Sequence, residues 1–276
     1  YLKGDEFDAF MNYPFTFTSA EFFIDRKNRI SPSEFDKRLE KLRNAYPKDI
    51  SYVMQNLLSS HDTARLTSLI VNPDQNFRDY GEFSNRSRVG ANPDYRLDRG
   101  DNNDLATHKL LVIFQMTYIG APMIYYGDEV RMTGANDPDC RKPMLWEEFN
   151  YEDETAHPAG GRSRLPEKNK VNKELLEHYK KLIKIRNDYP ALRRGSFKSV
   201  YINNKQDVYG FVREYKKEFI FVIMNNSSKH QEVKLDLAGY NVSSLIDVLN
   251  ENKRYSVAVS ESLKLSVKAR WAVILT

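Results

Sequence analysis

Two pairs of charged residues stand where an α/β protein would place its chemistry. His61-Asp62 follows an apolar run at residues 52–58 and the polar step Ser59-Ser60, and Asp128-Glu129 follows Ile124-Tyr125-Tyr126 and Gly127. If both runs are parallel strands, both pairs lie at strand C-terminal ends, the face on which such folds assemble active sites. An imidazole and several carboxylates on one face suit proton transfer and the holding of polar ligands. Each pair also has a purely structural reading. His61-Asp62 could be a polar turn or a helix N-cap by Asp62, and Asp128-Glu129 could supply favourable charge at a helix start or a buried ion pair. The residue types therefore predict a carboxylate-bearing cleft and select no single reaction.

The elements that must position these pairs alternate apolar runs with helical patterns, as parallel βα units do. A strand is expected at residues 7–13, closed by Pro14. Ser31-Pro32-Ser33-Glu34 combines a capping box with proline at the first helical position, and Phe35, Leu39, Leu42 and Tyr46 then recur on one helical face as far as Pro47. A second strand is expected at residues 52–58. Residues 71–103, rich in Asn, Asp, Arg and Gly, read as a long loop over one end of the fold. A mostly apolar helix over 103–119 ends at Gly120 and Pro122, and Ile124-Tyr125-Tyr126 makes a third short strand. An irregular stretch over 131–170 precedes an amphipathic helix carrying Leu175, Leu176, Tyr179, Leu182 and Ile183, which Pro190 ends.

After Gly195 the period changes. Short β segments at 197–202, 208–213, 218–224, 233–237, 254–259, 263–267 and 271–275 are separated by turn pairs such as Asn203-Asn204, Lys216-Lys217 and Asn225-Asn226, which predicts a small antiparallel β-sandwich. A complete eight-stranded βα barrel takes about 250 residues. Three strand–helix units over residues 1–195 fit either a small open α/β sheet or the last part of such a barrel.

Gln55-Asn56-Leu57-Leu58-Ser59-Ser60-His61-Asp62-Thr63 resembles the seventh-strand motif of the α-amylase superfamily of glycoside hydrolases. Gly120-Ala121-Pro122-Met123-Ile124-Tyr125-Tyr126-Gly127-Asp128-Glu129 resembles its eighth-strand motif, in the same order and spacing. Gly134-Ala135-Asn136-Asp137-Pro138-Asp139-Cys140-Arg141-Lys142-Pro143-Met144-Leu145-Trp146 is similar to the following loop of the neopullulanase and cyclomaltodextrinase branch. The resemblance implies an α/β plus all-β fold: the C-terminal part of a (β/α)8 TIM barrel, about strands 6–8, over residues 1–195, then an antiparallel β-sandwich over 196–276. It implies that Asp62 is the catalytic carboxylate that holds sugar hydroxyls and stabilises an oxocarbenium-like transition state, and that His61 bonds hydroxyls of the same sugar. It further implies that Asp137 and Arg141 grip the next sugar on the non-reducing side, while Tyr125, Tyr126 and Glu129 support the site. Ionic hydrogen bonds suit that role because they strengthen as charge develops on the ring.

One departure from the family is large. Retaining glycosidases need two carboxyl groups about 5 Å apart, which the family draws from a G-x-R-x-D strand and an E-x-W-like strand, and these 276 residues contain neither motif. Glu6 and Asp8 do not replace them, since Glu6 precedes the sixth-strand match and Asp8 belongs to it. The expected role is therefore a portion of a retaining hydrolase of α-1,4-linked glucans, of maltooligosaccharide, cyclodextrin or pullulan type, inactive alone. A non-catalytic α-glucan-binding or scaffold protein built from the same parts is the competing expectation.

Composition narrows the partners. Forty-two basic against 38 acidic residues give a net charge of +4, too small to imply nucleic acid. The basic residues Lys180, Lys181, Lys184, Arg186, Arg193 and Arg194 alternate with Glu174 and Glu177, as on a solvated helix face. No run approaches the roughly 18 apolar residues of a membrane span, and residues 1–5 lack a signal peptide's apolar stretch. The single Cys140 excludes an intrachain disulfide and suits a reducing, cytoplasmic location. No cofactor or metal is assigned. Unpaired edges of a partial barrel lead us to expect a homo-oligomer or association with the rest of such an enzyme.

Overall fold

The computed structural model describes residues 6–257 and 262–276. The strand expected at 7–13 is irregular chain over most of its length, and the first helix, α1 (Tyr13–Phe23), takes its last residue. Only one parallel bridge, Met11 to Gln55, survives there, flanked by Asn12 N–H to Gln55 O at 2.8 Å and Gln55 N–H to Phe10 O at 3.1 Å. The reason is local. Asn12 accepts the Phe15 N–H and caps the helix, and Pro14 sits in its first turn, where a missing N–H costs nothing. Because α1 buries Phe15, Phe22 and Phe23 on several sides, it carries no one-sided apolar period.

The helix expected from Ser31 runs as α2 (Pro32–Asn44), with Ser31 accepting the Glu34 N–H and Phe35 and Leu39 buried. Glu34 pairs with Arg38 instead of closing the capping box. The strand expected at 52–58 is shorter: α3 (Lys48–Val53) takes its first residues and β1 is Gln55–Leu57. The region expected as a loop holds the end of α4 (Leu66–Val71) and a short helix, α5 (Tyr80–Arg86), capped by Asp79. Phe83 is the one buried residue of α5, too little for an apolar period to reveal the helix. Helix α6 (Asn102–Thr117) opens with a full capping box between Asp101 and Asp104.

Strand β2 (Ala121–Met123) pairs in parallel with β1, Gln55 opposite Ala121 and Leu57 opposite Met123. It lies three residues earlier than expected, because β1 ends at Leu57 and offers Ile124–Tyr126 no further ladder. Segment 10–12, β1 and β2 thus form neighbouring parallel strands in chain order. Side-chain amides extend the short ladder: Asn12 donates to Asn56, Asn56 to Ile119 O, and Gln115 to Asn56 O and Met123 O. Gly120, at φ +117°, lies where an added Cβ would fall 2.4 Å from the Asn56 amide, so this approach demands glycine.

The stretch expected as irregular contains a small hairpin, β3 (Glu154–Ala156) with β4 (Ser163–Glu167). Helices α7 (Lys173–Asp188) and α8 (Pro190–Arg194) follow, with Pro190 opening α8 as well as stopping α7.

The remaining chain is antiparallel. Strands β5 (Ser196–Asn203), β6 (Val208–Tyr215), β7 (Glu218–Asn225), β8 (Gln231–Asp236), β9 (Ser244–Asp247), β10 (Lys253–Ser256), β11 (Ser262–Val267) and β12 (Trp271–Leu275) form two sheets. Six strands lie in the order β10-β9-β12-β7-β6-β5, and β11 pairs with β8 across them. Strand β9 has no counterpart in the sequence reading. Of the segment expected at 254–259, residues 258 and 259 lie outside the described residues. Strands β8 and β11 alternate buried and exposed residues, as one-sided strands do, whereas β6, β7 and β12 are apolar almost throughout. The cause is that the large sheet is covered on both faces. Val212, Phe221 and Val273 face β8 and β11, while Tyr209, Phe211, Val222 and Ile274 join Phe15, Phe35 and Phe114 in the core beneath the helices.

Candidate active site

The turn after β1 is built on Ser60. Its hydroxyl accepts the Asp62 N–H at 3.0 Å and bonds the Tyr13 hydroxyl at 2.9 Å, and its own N–H donates to Thr63 Oγ1 at 2.9 Å. Ser59, Ser60 and Thr63 are buried, so the turn is fixed while His61 and Asp62 project outward, about half exposed. Asp62 caps no helix. Helix α4 begins four residues later, and the carboxylate at its start is Asp128, which accepts the Leu66 N–H at 3.4 Å and the Ser59 hydroxyl. Burial pushes the Asp128 carboxyl up to about 6, against the pull of the neighbouring Arg65 guanidinium and the Ser59 hydroxyl. Asp128 therefore serves the helix start and the base of the turn, and Glu129 accepts the Gly127 N–H at 2.8 Å.

The second wall is the loop at 134–141. Arg65, fully buried, joins it to the first: its N–H donates to Gly134 O at 3.0 Å, its Nη1 donates to Tyr126 O, and its guanidinium lies 4.7 and 4.6 Å from the Tyr125 and Tyr126 ring centres. The two tyrosine hydroxyls donate in turn to Cys140 O and Lys142 O. Asn136, buried, donates its N–H to Ser87 O, hydrogen-bonds Ser84 and Ser87 through its side chain, and accepts the Asp137 N–H. The Cys140 thiol donates to His61 O at 3.4 Å, and burial pushes that thiol's pKa up.

These supports bring the four residues expected at the site together. Asp62 presents one oxygen to His61 Nε2 at 3.3 Å and the other to Arg141 Nη2 at 3.7 Å, and Arg141 Nε donates to Asp137 Oδ1 at 2.5 Å. The bond to Asp137 raises the Arg141 pKa. The result is an exposed chain of alternating basic and acidic side chains, His61, Asp62, Arg141, Asp137, able to accept from and donate to several hydroxyls at once. Sequence reasoning missed Tyr13, whose pKa burial raises, with Asp62 adding to the shift. The available signal was its position at the end of the first expected strand, the same face as His61-Asp62. Among the described residues no group of three or more His, Cys, Asp or Glu side chains is placed to hold a metal ion.

Comparison with known proteins places these features in context. The family described as alpha amylase, catalytic domain, matches residues 87–195, and the maltogenic amylase C-terminal domain matches 197–274. A cyclomaltodextrinase of Thermoanaerobacter pseudethanolicus is 36% identical over 236 residues, covering 86% of this chain and 32% of the relative. Neopullulanase 2 of Thermoactinomyces vulgaris is 32% identical over 276 residues, covering 100% of this chain and 38% of the relative. A solved cyclomaltodextrinase structure superposes with a TM-score of 0.72 at 30% identity, covering all of this chain and 38% of that one. The chain thus spans about a third of the length of the curated relatives it matches.

Proposed function

The chain belongs to the α-amylase superfamily of glycoside hydrolases, and from that premise we propose that it forms one side of an α-1,4-glucan cleft. In this reading Asp62 holds hydroxyls of the sugar at the reacting centre and stabilises positive charge developing on its ring. His61 bonds the same sugar, and Arg141 with Asp137 grips the next. The observation that carries the reading is the shared geometry of these groups: Arg141 pairs with both Asp62 and Asp137, so the residues assigned to two neighbouring sugars belong to one connected cluster. Preorganised charges of this kind need not reorganise as the transition state forms, which is where they gain their effect.

Retaining hydrolysis needs a nucleophile and a general acid whose carboxyl groups stand about 5 Å apart, and the G-x-R-x-D and E-x-W-like motifs from which this family draws them do not occur in these 276 residues. We therefore assign these 276 residues substrate holding without turnover, the nucleophile and general acid being supplied by motifs they do not contain. The same observation favours glucan binding over catalysis for this chain by itself. A reducing-sugar assay with maltotriose and β-cyclodextrin tests the assignment. No release above the buffer rate is expected, and release that Asp62→Asn abolishes would overturn it.

A further inference from the structure

Helix α5 is short and mostly exposed, yet it is pinned on two sides. Phe83 is buried edge-on against Phe17, with centroids 5.4 Å apart, and Ser84 and Ser87 hold Asn136, the residue before Asp137. Tyr80, at the first helical position, is 54% exposed, and its ring meets Phe17 edge-on at 6.1 Å. Phe17 stacks in turn on Tyr13 at 6.2 Å, and both Asp62 and Tyr80 lie near enough to the Tyr13 hydroxyl to act on it electrostatically. An aromatic ridge, Tyr13 to Phe17 to Tyr80, therefore runs from the charged cluster onto α5.

A pyranose has hydroxyl edges and a face of C–H groups. The charged chain from His61 to Asp137 suits the edges, and a flat ring with an apolar body and a polar tip suits the face. We propose that Tyr80 is a stacking platform for a glucosyl unit beyond those held by Asp62 and Arg141, so that α5 sets the length of α-glucan the cleft prefers. The proposal rests on the glucan-cleft reading above. It gives the segment at 71–103 a role in substrate selection, with the seryl contacts to Asn136 keeping platform and charged loop in register.

The test compares the affinity of the 276-residue chain for maltotriose and maltohexaose by NMR titration, in wild type, Tyr80→Ala, Tyr80→Trp and Asp62→Ala. Tyr80→Ala should weaken maltohexaose by about tenfold, in line with the loss of one aromatic contact, and leave maltotriose within about twofold. Tyr80→Trp should restore the preference, and Asp62→Ala should weaken both sugars. If Asp62→Ala weakens both while Tyr80→Ala changes neither, the cleft stands and the platform falls. Equal weakening of both sugars by Tyr80→Ala would also overturn the platform, since that marks a collapsed α5. Wild type that binds neither sugar overturns the cleft and the platform together.

Discussion

Arg141 Nη2 stands 3.7 Å from Asp62 Oδ1, so the loop after the second parallel strand reaches back to the turn after the first. Arg141 meets two carboxylates through different nitrogens, Nε for Asp137 and Nη2 for Asp62. A lysine offers one charged centre and cannot hold both in fixed directions. Arg141→Lys is therefore expected to lower maltotriose affinity about tenfold while leaving the melting temperature unchanged, as thermal unfolding beside a binding titration would show. Unchanged affinity would mean that Arg141 does not hold the sugar.

Asn136 makes no part of the charged chain but fixes its loop, and it is 2% exposed. Removing its amide by Asn136→Ala leaves the Asp137 N–H without its acceptor and frees Ser84 and Ser87. The expected cost is about 1–3 kcal/mol of stability, with weaker glucan binding although the side chain touches the cluster only through backbone. Urea unfolding gives the first quantity and titration the second; a stable variant with wild-type affinity would show that the loop is positioned by other contacts.

Arg213 is fully buried and donates to Thr117 O, Leu192 O, Gly195 O and Ser196 O, the first two near helix ends. Burial and the neighbouring Arg186 lower its pKa to about 9, which keeps it charged at neutral pH. Arg186 performs the same service for Met116 O, Tyr118 O and Gly120 O. Between them they satisfy the last carbonyls of α6 where it meets the large sheet. Arg213→Met should cost about 3 kcal/mol or more, measured as a fall in unfolding free energy; a neutral effect would show that the carbonyls find other donors.

Two buried histidines should make the fold acid-sensitive. Burial lowers His108 to about 3 and His178 to about 4, while an unfolded histidine titrates near 6.5. The unfolded chain therefore binds more protons below about pH 6.5, and stability falls there by about 1.4 kcal/mol per pH unit for each residue until the folded value is reached. Asp128 acts in the opposite sense. Its raised pKa means that stability is fully present below about pH 4 and lost as pH rises through about 6. His178 donates through Nε2 to Lys109 O at 3.1 Å, a bond that glutamine can copy. Denaturant unfolding at pH 7 and pH 5 should show a smaller acid loss for His178→Gln than for wild type; equal losses would contradict the assignment.

The parts of this fold that were legible in the sequence are those with one-sided burial or a side-chain signal. Helix α2 was readable because Ser31 and Pro32 mark its start and Phe35 and Leu39 share one buried face. Helix α1 was not, because its phenylalanines are buried on several sides and Pro14, a starter here, equally ends strands. Strands β8 and β11 alternate cleanly, while β6 and β7 declare themselves by being apolar on both faces. At the site, the strand-end positions of His61-Asp62 were visible, whereas the path bringing Arg141 to Asp62 was not, since it depends on Arg65, Tyr125, Tyr126 and Asn136 fixing a loop without regular structure. Tyr80 escaped notice because α5 buries one residue and shows no period.

If Asp62 and its neighbours hold an α-1,4-glucan, calorimetric titration of maltotriose into wild type and Asp62→Asn will separate the two proteins. Saturable binding by wild type, weakened at least about tenfold in a variant with unchanged circular dichroism, is the expected result. Equal binding by the two proteins, or none by wild type at millimolar sugar, would contradict it.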